Sequence, residues 1–250
     1  MRSRAGGPGK ANLRELARGC GCRRADEVPR GPRVHGMRAT CASLLVAWVL
    51  AGCAGSPAPA TIWMRLSTEA PALAAGGTGP ACPAVSAPAA PGEAWQLMLP
   101  VVLPGHLDRD ALFVPQGASG AWVRPLEGAR WVEPLRDAVP RVLREDLMRA
   151  LGGQVVWWPP LPPGVLPTRQ LRAEFVAFEI GADGRALTTQ VRWTLADARG
   201  ARAPAVHEAR IATPVAGPGG AEGWALAHRL AIAELSCRIA ATLVAWPAAR

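Results

Sequence analysis

The chain has 250 residues, half of them apolar, with formal charge +9 and a pI near 10.7. So basic a balance would ordinarily point to nucleic acid or an anionic membrane, but its distribution weakens that inference. Residues 1–36 hold nine cationic and three acidic residues (+6), residues 37–94 two of each, and residues 95–250 seventeen and fourteen (+3). Beyond residue 36 no block of like charge remains.

Residues 1–36 are rich in Arg, Gly and Pro and lack apolar periodicity. Three readings fit: a long signal n-region, a disordered basic tail, or sequence upstream of the true start. The last is favoured, because Met37-Arg38 opens a signal peptide of ordinary length. Arg23-Arg24 is followed by Ala25, Asp26 and Glu27, not by the apolar run of a twin-arginine signal. Cys20-Gly21-Cys22 has no second pair or histidines at metal-site spacing.

From Met37 one cation precedes the apolar run Leu44–Leu50, which is too short to span a bilayer at about 20 residues. Small residues follow, in the layout of a secretory signal peptide over 37–52. Leu50-Ala51-Gly52-Cys53 resembles a bacterial lipobox, whose cysteine is acylated and becomes the first mature residue. The alternative is a generic signal peptide with an incidental cysteine. Residues 53–60 then form a small-residue tether to the folded domain, 61–250, which begins with a strand at Thr61–Leu66. The covalent lipid on Cys53 is the one attached group expected; no cofactor or metal is.

Residues 67–94 are mostly Ala, Pro and Gly and predict a mobile loop, since they bury too little to offset the entropy of ordering. Cys82 lies there. It could pair with Cys237 in an oxidising compartment, although two free thiols is the reading preferred.

Trp95–Leu103 reads as a strand ending at Pro104-Gly105. Ala111–Val114 and Ala121–Val123 read as a hairpin around Gly117–Gly120. Leu135, Val139, Val142, Leu143, Leu147 and Leu151 share one helical face, with Pro134 in the first turn and Gly152 as the C-terminal cap. Pro140 either kinks this helix or opens its regular part. Glu145 and Asp146 are expected on a solvated face among Arg141, Arg144 and Arg149. Gln154–Trp158 follows as a strand, predicting a parallel crossover.

After the proline-rich loop 159–167, Leu171–Ile180 and Arg185–Leu195 form a hairpin around Gly181-Ala182-Asp183-Gly184. Residues 205–212 suit one more strand. Gly223–Trp246 is a long helix with a stripe at Leu226, Leu230, Ala233, Cys237, Ala240 and Val244, broadened by Ile232, Leu235, Ile239 and Leu243. The expected fold is α/β: a mixed β-sheet with two main amphipathic helices packed on it, as a single domain. The alanines of the last helix would also admit a second protomer, leaving room for a homo-oligomer.

The four histidines (His35, His106, His207, His228) form no metal-spaced pair, and no serine stands in Gly-x-Ser-x-Gly. The glycines of 215–223 precede no Lys-Ser/Thr. His106-Leu107-Asp108-Arg109-Asp110 is polar and could hold a site, but Arg109 between two aspartates is more simply a turn held by its own ion pairs. No enzyme is expected.

Leu99-Pro100-Val101-Val102-Leu103-Pro104-Gly105-His106-Leu107-Asp108-Arg109 resembles the "v.lP.yLdR" signature of ABC-type transport auxiliary lipoproteins, the PqiC-like family. Arg130–Leu135 resembles that family's "rWaepL", Val142–Leu147 its "vLaedL", and Phe175–Glu179 with Val191–Trp193 its central hairpin. Leu235–Leu243 resembles its closing helix. Trp63 in place of a tyrosine, His106 in place of an aromatic, and Pro140 depart from the pattern. The resemblance implies a non-catalytic accessory lipoprotein of an envelope transport system for lipids, working with an ATPase, a permease and a mammalian-cell-entry (MCE) domain protein. Ala54 is not the aspartate that commonly retains lipoproteins in the inner membrane, so the outer membrane, facing the periplasm, is the expected address. Trp157 and Trp158, with the rigid run Pro159–Pro167, are the candidate partner surface; Trp157 as plain core is the competing reading. A free-standing structural or lipid-binding lipoprotein is the rival function.

Overall fold

Two sheets and two helices organise the chain. The computed structural model describes residues 60–69, 94–117, 122–217 and 220–246, all within the unit Ala58–Arg250. The leader, Cys53, Cys82, loop residues 70–93 and the turn 118–121 lie outside the described residues.

The larger sheet has the order β5-β2-β6-β7-β8. It comprises β2 (Trp95–Leu97), β5 (Val156–Trp157), β6 (Arg169–Ile180), β7 (Ala186–Asp197) and β8 (Ala205–Pro214). β2 runs parallel to both β5 and β6, while β6, β7 and β8 form an antiparallel meander, so the sheet is mixed. A second, three-stranded sheet sets β4 (Trp122–Trp131) between β1 (Ile62–Met64) and β3 (Ala111–Gln116). The helices are α1 (Leu135–Ala150) and α2 (Ala221–Ala245). The expected α/β class and the two main helices are thus present, with the strands divided between two sheets.

The long hairpin follows its turn chemistry. Gly184 takes φ +69°, which a side chain would strain, and its N–H donates to Gly181 O at 2.8 Å. Strand β6 alternates buried Leu171, Ala173 and Phe175 with exposed Arg172, Glu174 and Val176. A register shift between Phe175 and Ala177 then resets the alternation, so that Phe178 and Ile180 are buried. One face of this sheet is therefore apolar. Phe178, Leu187, Val191 and Leu195 share a single buried core with Ile232, Leu235 and Ile239 of α2.

Some expectations need correction. The strand expected over 95–103 is regular only to Leu97, because Pro100 and Pro104 bring no N–H to a ladder. The chain regains the sheet at Val102, which accepts from Phe175 N at 2.8 Å and donates to Ala173 O at 3.2 Å. β4 runs on to Trp131, far beyond Val123, since Gly128 (φ +70°) and a register shift let it bend and rejoin β3 at Ala111. β4 and β5 flank α1 but sit in different sheets, so the crossover expected there is not one within a sheet. The expected α2 face is met in part: Cys237, Ala240, Ile232, Leu235, Ile239 and Leu243 are buried, whereas Leu226, Leu230 and Ala233 are half-buried, Val244 is exposed, and Trp224, Ala227 and Ala231 are buried besides. The helix is apolar nearly all round, and periodicity alone does not choose its inner face. Cys237 is disulfide-bonded, against the preferred reading of a free thiol. The other cysteines lie outside the described residues.

In α1 the expected stripe is the buried one: Leu135, Val139, Val142, Leu143, Leu147 and Leu151 are all at most 7% exposed. Pro140 stands inside the helix. It forgoes one backbone bond in the second turn and brings a buried ring in exchange. Gly152 N donates to Arg149 O and Gly153 N to Met148 O, a Schellman ending on two positive-φ glycines.

Asp146 is not on a solvated face. It is 4% exposed, and Arg229 of α2, 6% exposed, grips both its oxygens at 2.6 and 2.8 Å. Arg149 adds a third cationic contact to Oδ1. The same two arginines donate to the chain leaving β1: Arg229 to Glu69 O (2.9 and 3.1 Å) and Arg149 to Thr68 O. Residues 67–69, expected to be part of a mobile loop, are therefore fastened. Removing one member of a buried pair strands the other charge at about 3–5 kcal/mol, whereas an apolar pair of similar volume is often neutral. Arg229→Met should accordingly lower unfolding stability by several kcal/mol in urea titration, and Asp146→Leu/Arg229→Met should recover most of that loss.

Candidate partner surface

The Schellman ending of α1 turns the chain directly into β5, whose register pairs Trp95 with Val156 and Gln96 with Trp157 at the sheet edge. Arg144, one turn earlier in α1's last half, fixes this edge. Its Nε donates to Val156 O at 2.6 Å, and its guanidinium lies 5.1 Å above the Trp158 ring. Glu145 pairs with Arg144 at 3.0 Å and keeps the cation in place. Trp157 and Trp158 are both half-buried, so neither is plain core nor fully free. Val155 (40% exposed) and Leu166 (78%) flank them on either side of the proline-rich segment. Loop 158–168 is closed by Thr168 N donating to Ala94 O at 2.9 Å. The result is a partly apolar edge with a pre-stacked indole.

The polar segment near His106 is a set of surface ion pairs. Asp108 pairs with Arg136 at 2.7 Å and Asp110 with Arg130 at 3.8 Å, so the expected self-contained turn around Arg109 is replaced by pairs reaching other elements. His106 Nε2 lies 3.6 Å from Glu179, with its ring edge-on to Phe113. Among the described residues no group of three or more His, Cys, Asp or Glu could hold a metal ion. No helix among them is long and apolar enough to cross a membrane.

Two features escaped sequence reasoning. Arg202, Ala203, Ala205, His207, Thr242, Ala245 and Trp246 line an open, mostly apolar cleft of about 300 Å³ beside the end of α2. His207 stacks on Trp193 there (5.5 Å, 17°), and Trp193 Nε1 donates to Thr242 Oγ1 at 3.0 Å. The other is His228, fully enclosed between Trp131 (5.4 Å) and Phe178 (4.7 Å), both edge-on. Its Nδ1 donates to Trp224 O at 2.7 Å. Burial pushes its pKa down to about 4 from the ordinary 6.5. No signal marks either feature, because both depend on side chains far apart in sequence.

This is a mixed α/β domain with a half-buried tryptophan pair at one edge of its larger sheet. The chain belongs to the ABC-type transport auxiliary lipoprotein component family, whose sequence pattern matches residues 79–240. Its fold is similar to a crystal structure of an uncharacterized protein at 18% identity and TM-score 0.50, covering 60% of this chain and 90% of that one. It is also similar to protein XCC0632 from Xanthomonas campestris at 15% identity and TM-score 0.52, covering 61% and 85%. At such identities the likeness is one of fold. A comparison with curated proteins gives no match.

His228 makes stability depend on pH. Between pH 6.5 and about 4 the unfolded chain binds a proton that the folded chain does not, so stability falls as pH drops through that window, by up to about 3 kcal/mol. His228→Phe should flatten this acid limb in a series of melting temperatures from pH 7.5 to about 4.5. An unchanged limb would assign the acid sensitivity to other groups.

Proposed function

We propose that the protein is a non-catalytic accessory lipoprotein of an MCE-associated ABC-type lipid transporter, held to the outer membrane by lipid on Cys53 and facing the periplasm. Family membership is the observation that carries the reading. The lipobox-like Leu50-Ala51-Gly52-Cys53 behind a short apolar run supports the anchor, and Ala54 supports the outer membrane. An inner-membrane pump needs a component that crosses the periplasm to meet such a domain, and an MCE-domain protein supplies one. The contact surface we assign to that partner is Trp157, Trp158 and the adjoining proline-rich loop. Trp158 is preordered by Arg144, so binding would lose little side-chain entropy there.

A free-standing lipid-binding lipoprotein is the second reading, and the apolar cleft beside Trp246 is the observation in its favour. Co-purification separates the two. Wild type should recover an MCE-domain protein from solubilised membranes, and Trp158→Ala, folded by circular dichroism, should recover several-fold less. Equal recovery would remove the proposed surface; no recovery by wild type would favour the free-standing reading. Intact-mass measurement of the mature protein should find an acylated N-terminal Cys53. A Cys53→Ser protein that is processed normally and stays in the membrane would contradict the anchor.

A further inference from the structure

The β3–β4 hairpin leaves an unusual set of apolar side chains in water. Trp122 is 77% exposed and Val123 42%, both at its distal end. Along the outer strand of the same sheet, Trp63 is 60% exposed and Ile62 59%. The hairpin's distal half pairs Val114, Pro115 and Gln116 with Arg124, Val123 and Trp122. Residues 122–125 of β4 are all exposed, so the main core does not account for Trp122.

The direction of the chain gives this end a meaning. β1 runs parallel to β4, with Ile62 opposite Ala129 and Trp63 opposite Arg130. Going backwards from β1, the chain therefore heads toward the distal end of the hairpin. Ala60 already lies beside Gly128, its carbonyl 3.7 Å from where a Cβ would stand. Arg130 is also opposite Ala111, and Gln116, five residues further along β3, is opposite Trp122. At about 3.4 Å per residue the hairpin end stands ~17 Å beyond the level of Trp63. Ala60 is the seventh residue after Cys53, a reach of at most about 25 Å. That reach exceeds the distance to the hairpin end, so a lipid on Cys53 is not kept from the level of Trp122.

We infer that Trp122 and Val123 form a second membrane contact, seated among the lipid headgroups of the bilayer that holds the Cys53 lipid. The inference rests on the anchoring proposed above. An indole suits that interface, with its ring in the apolar boundary and its N–H toward water. Arg124 is exposed two residues from Trp122, and no acidic residue occurs in β4 before Glu127. The hairpin end thereby favours anionic headgroups. Two contacts, lipid and hairpin, fix the tilt of the domain, which a flexible tether alone cannot.

The test uses the purified lipidated protein in phosphatidylethanolamine–phosphatidylglycerol vesicles that carry a nitroxide near the top of the acyl chain. A bimane label at Gln116→Cys, opposite Trp122, should be quenched at least about twofold more than one at Arg172→Cys on the polar sheet face. Adding Trp122→Ser/Val123→Ser to Gln116→Cys should abolish the difference while the protein still floats with the vesicles. Floating protein with equal quenching at both labels overturns the hairpin contact alone, including the case in which that end binds a protein. Protein that does not float overturns the anchor and this orientation together.

Discussion

A buried ion pair ties the two helices of this domain together. Asp146 of α1 and Arg229 of α2 meet with two hydrogen bonds at 2.6 and 2.8 Å, in a place almost closed to water. Neither charge could be buried alone. Arg229 also donates to Glu69 O, and Arg149 joins Asp146 to Thr68 O, so the pair spans three segments far apart in sequence. It fastens the helices to each other and holds the chain where it leaves β1. On α2, His228 and Arg229 face inward, while Leu226 and Leu230 are half-buried and Val244 is exposed.

In this domain α2 packs on β7 and β8 of the large sheet and α1 packs on α2 and reaches β5, while the opposite side of β6 presents Arg172 and Glu174 to water. The β5 edge carries the Arg144-stacked Trp158, and the β3–β4 hairpin carries Trp122. Each surface lies at a sheet margin, where backbone and side chains are least enclosed.

Much of the architecture was legible in the sequence because it is periodic. The α1 stripe from Leu135 to Leu151, the Gly152 cap and the β6–β7 hairpin at Asp183-Gly184 all follow from local rules. The family signature carried its own information in the order of several weak motifs, and membership holds over residues 79–240. What was not legible was the pairing of distant elements. Asp146 reads as a surface carboxylate because its neighbours in α1 are arginines, and its partner lies 83 residues away. The inner face of α2 was legible only in part, because nearly every face of that helix is apolar. Of the candidate partner surface, the two tryptophans were visible as residue types, but the Arg144 stack over Trp158 needed the fold.

Hydrogen exchange tests the role of the buried pair most directly. In wild type, the amide of Val132, which donates to Met64 O where the chain leaves β1, and those of α2 around Arg229 should share one slow opening, because Arg229 also holds Glu69 O. In Arg229→Met both regions should lose protection together. Loss confined to α2, with Val132 exchanging as in wild type, would contradict the account, since the segment leaving β1 would then be held by something else.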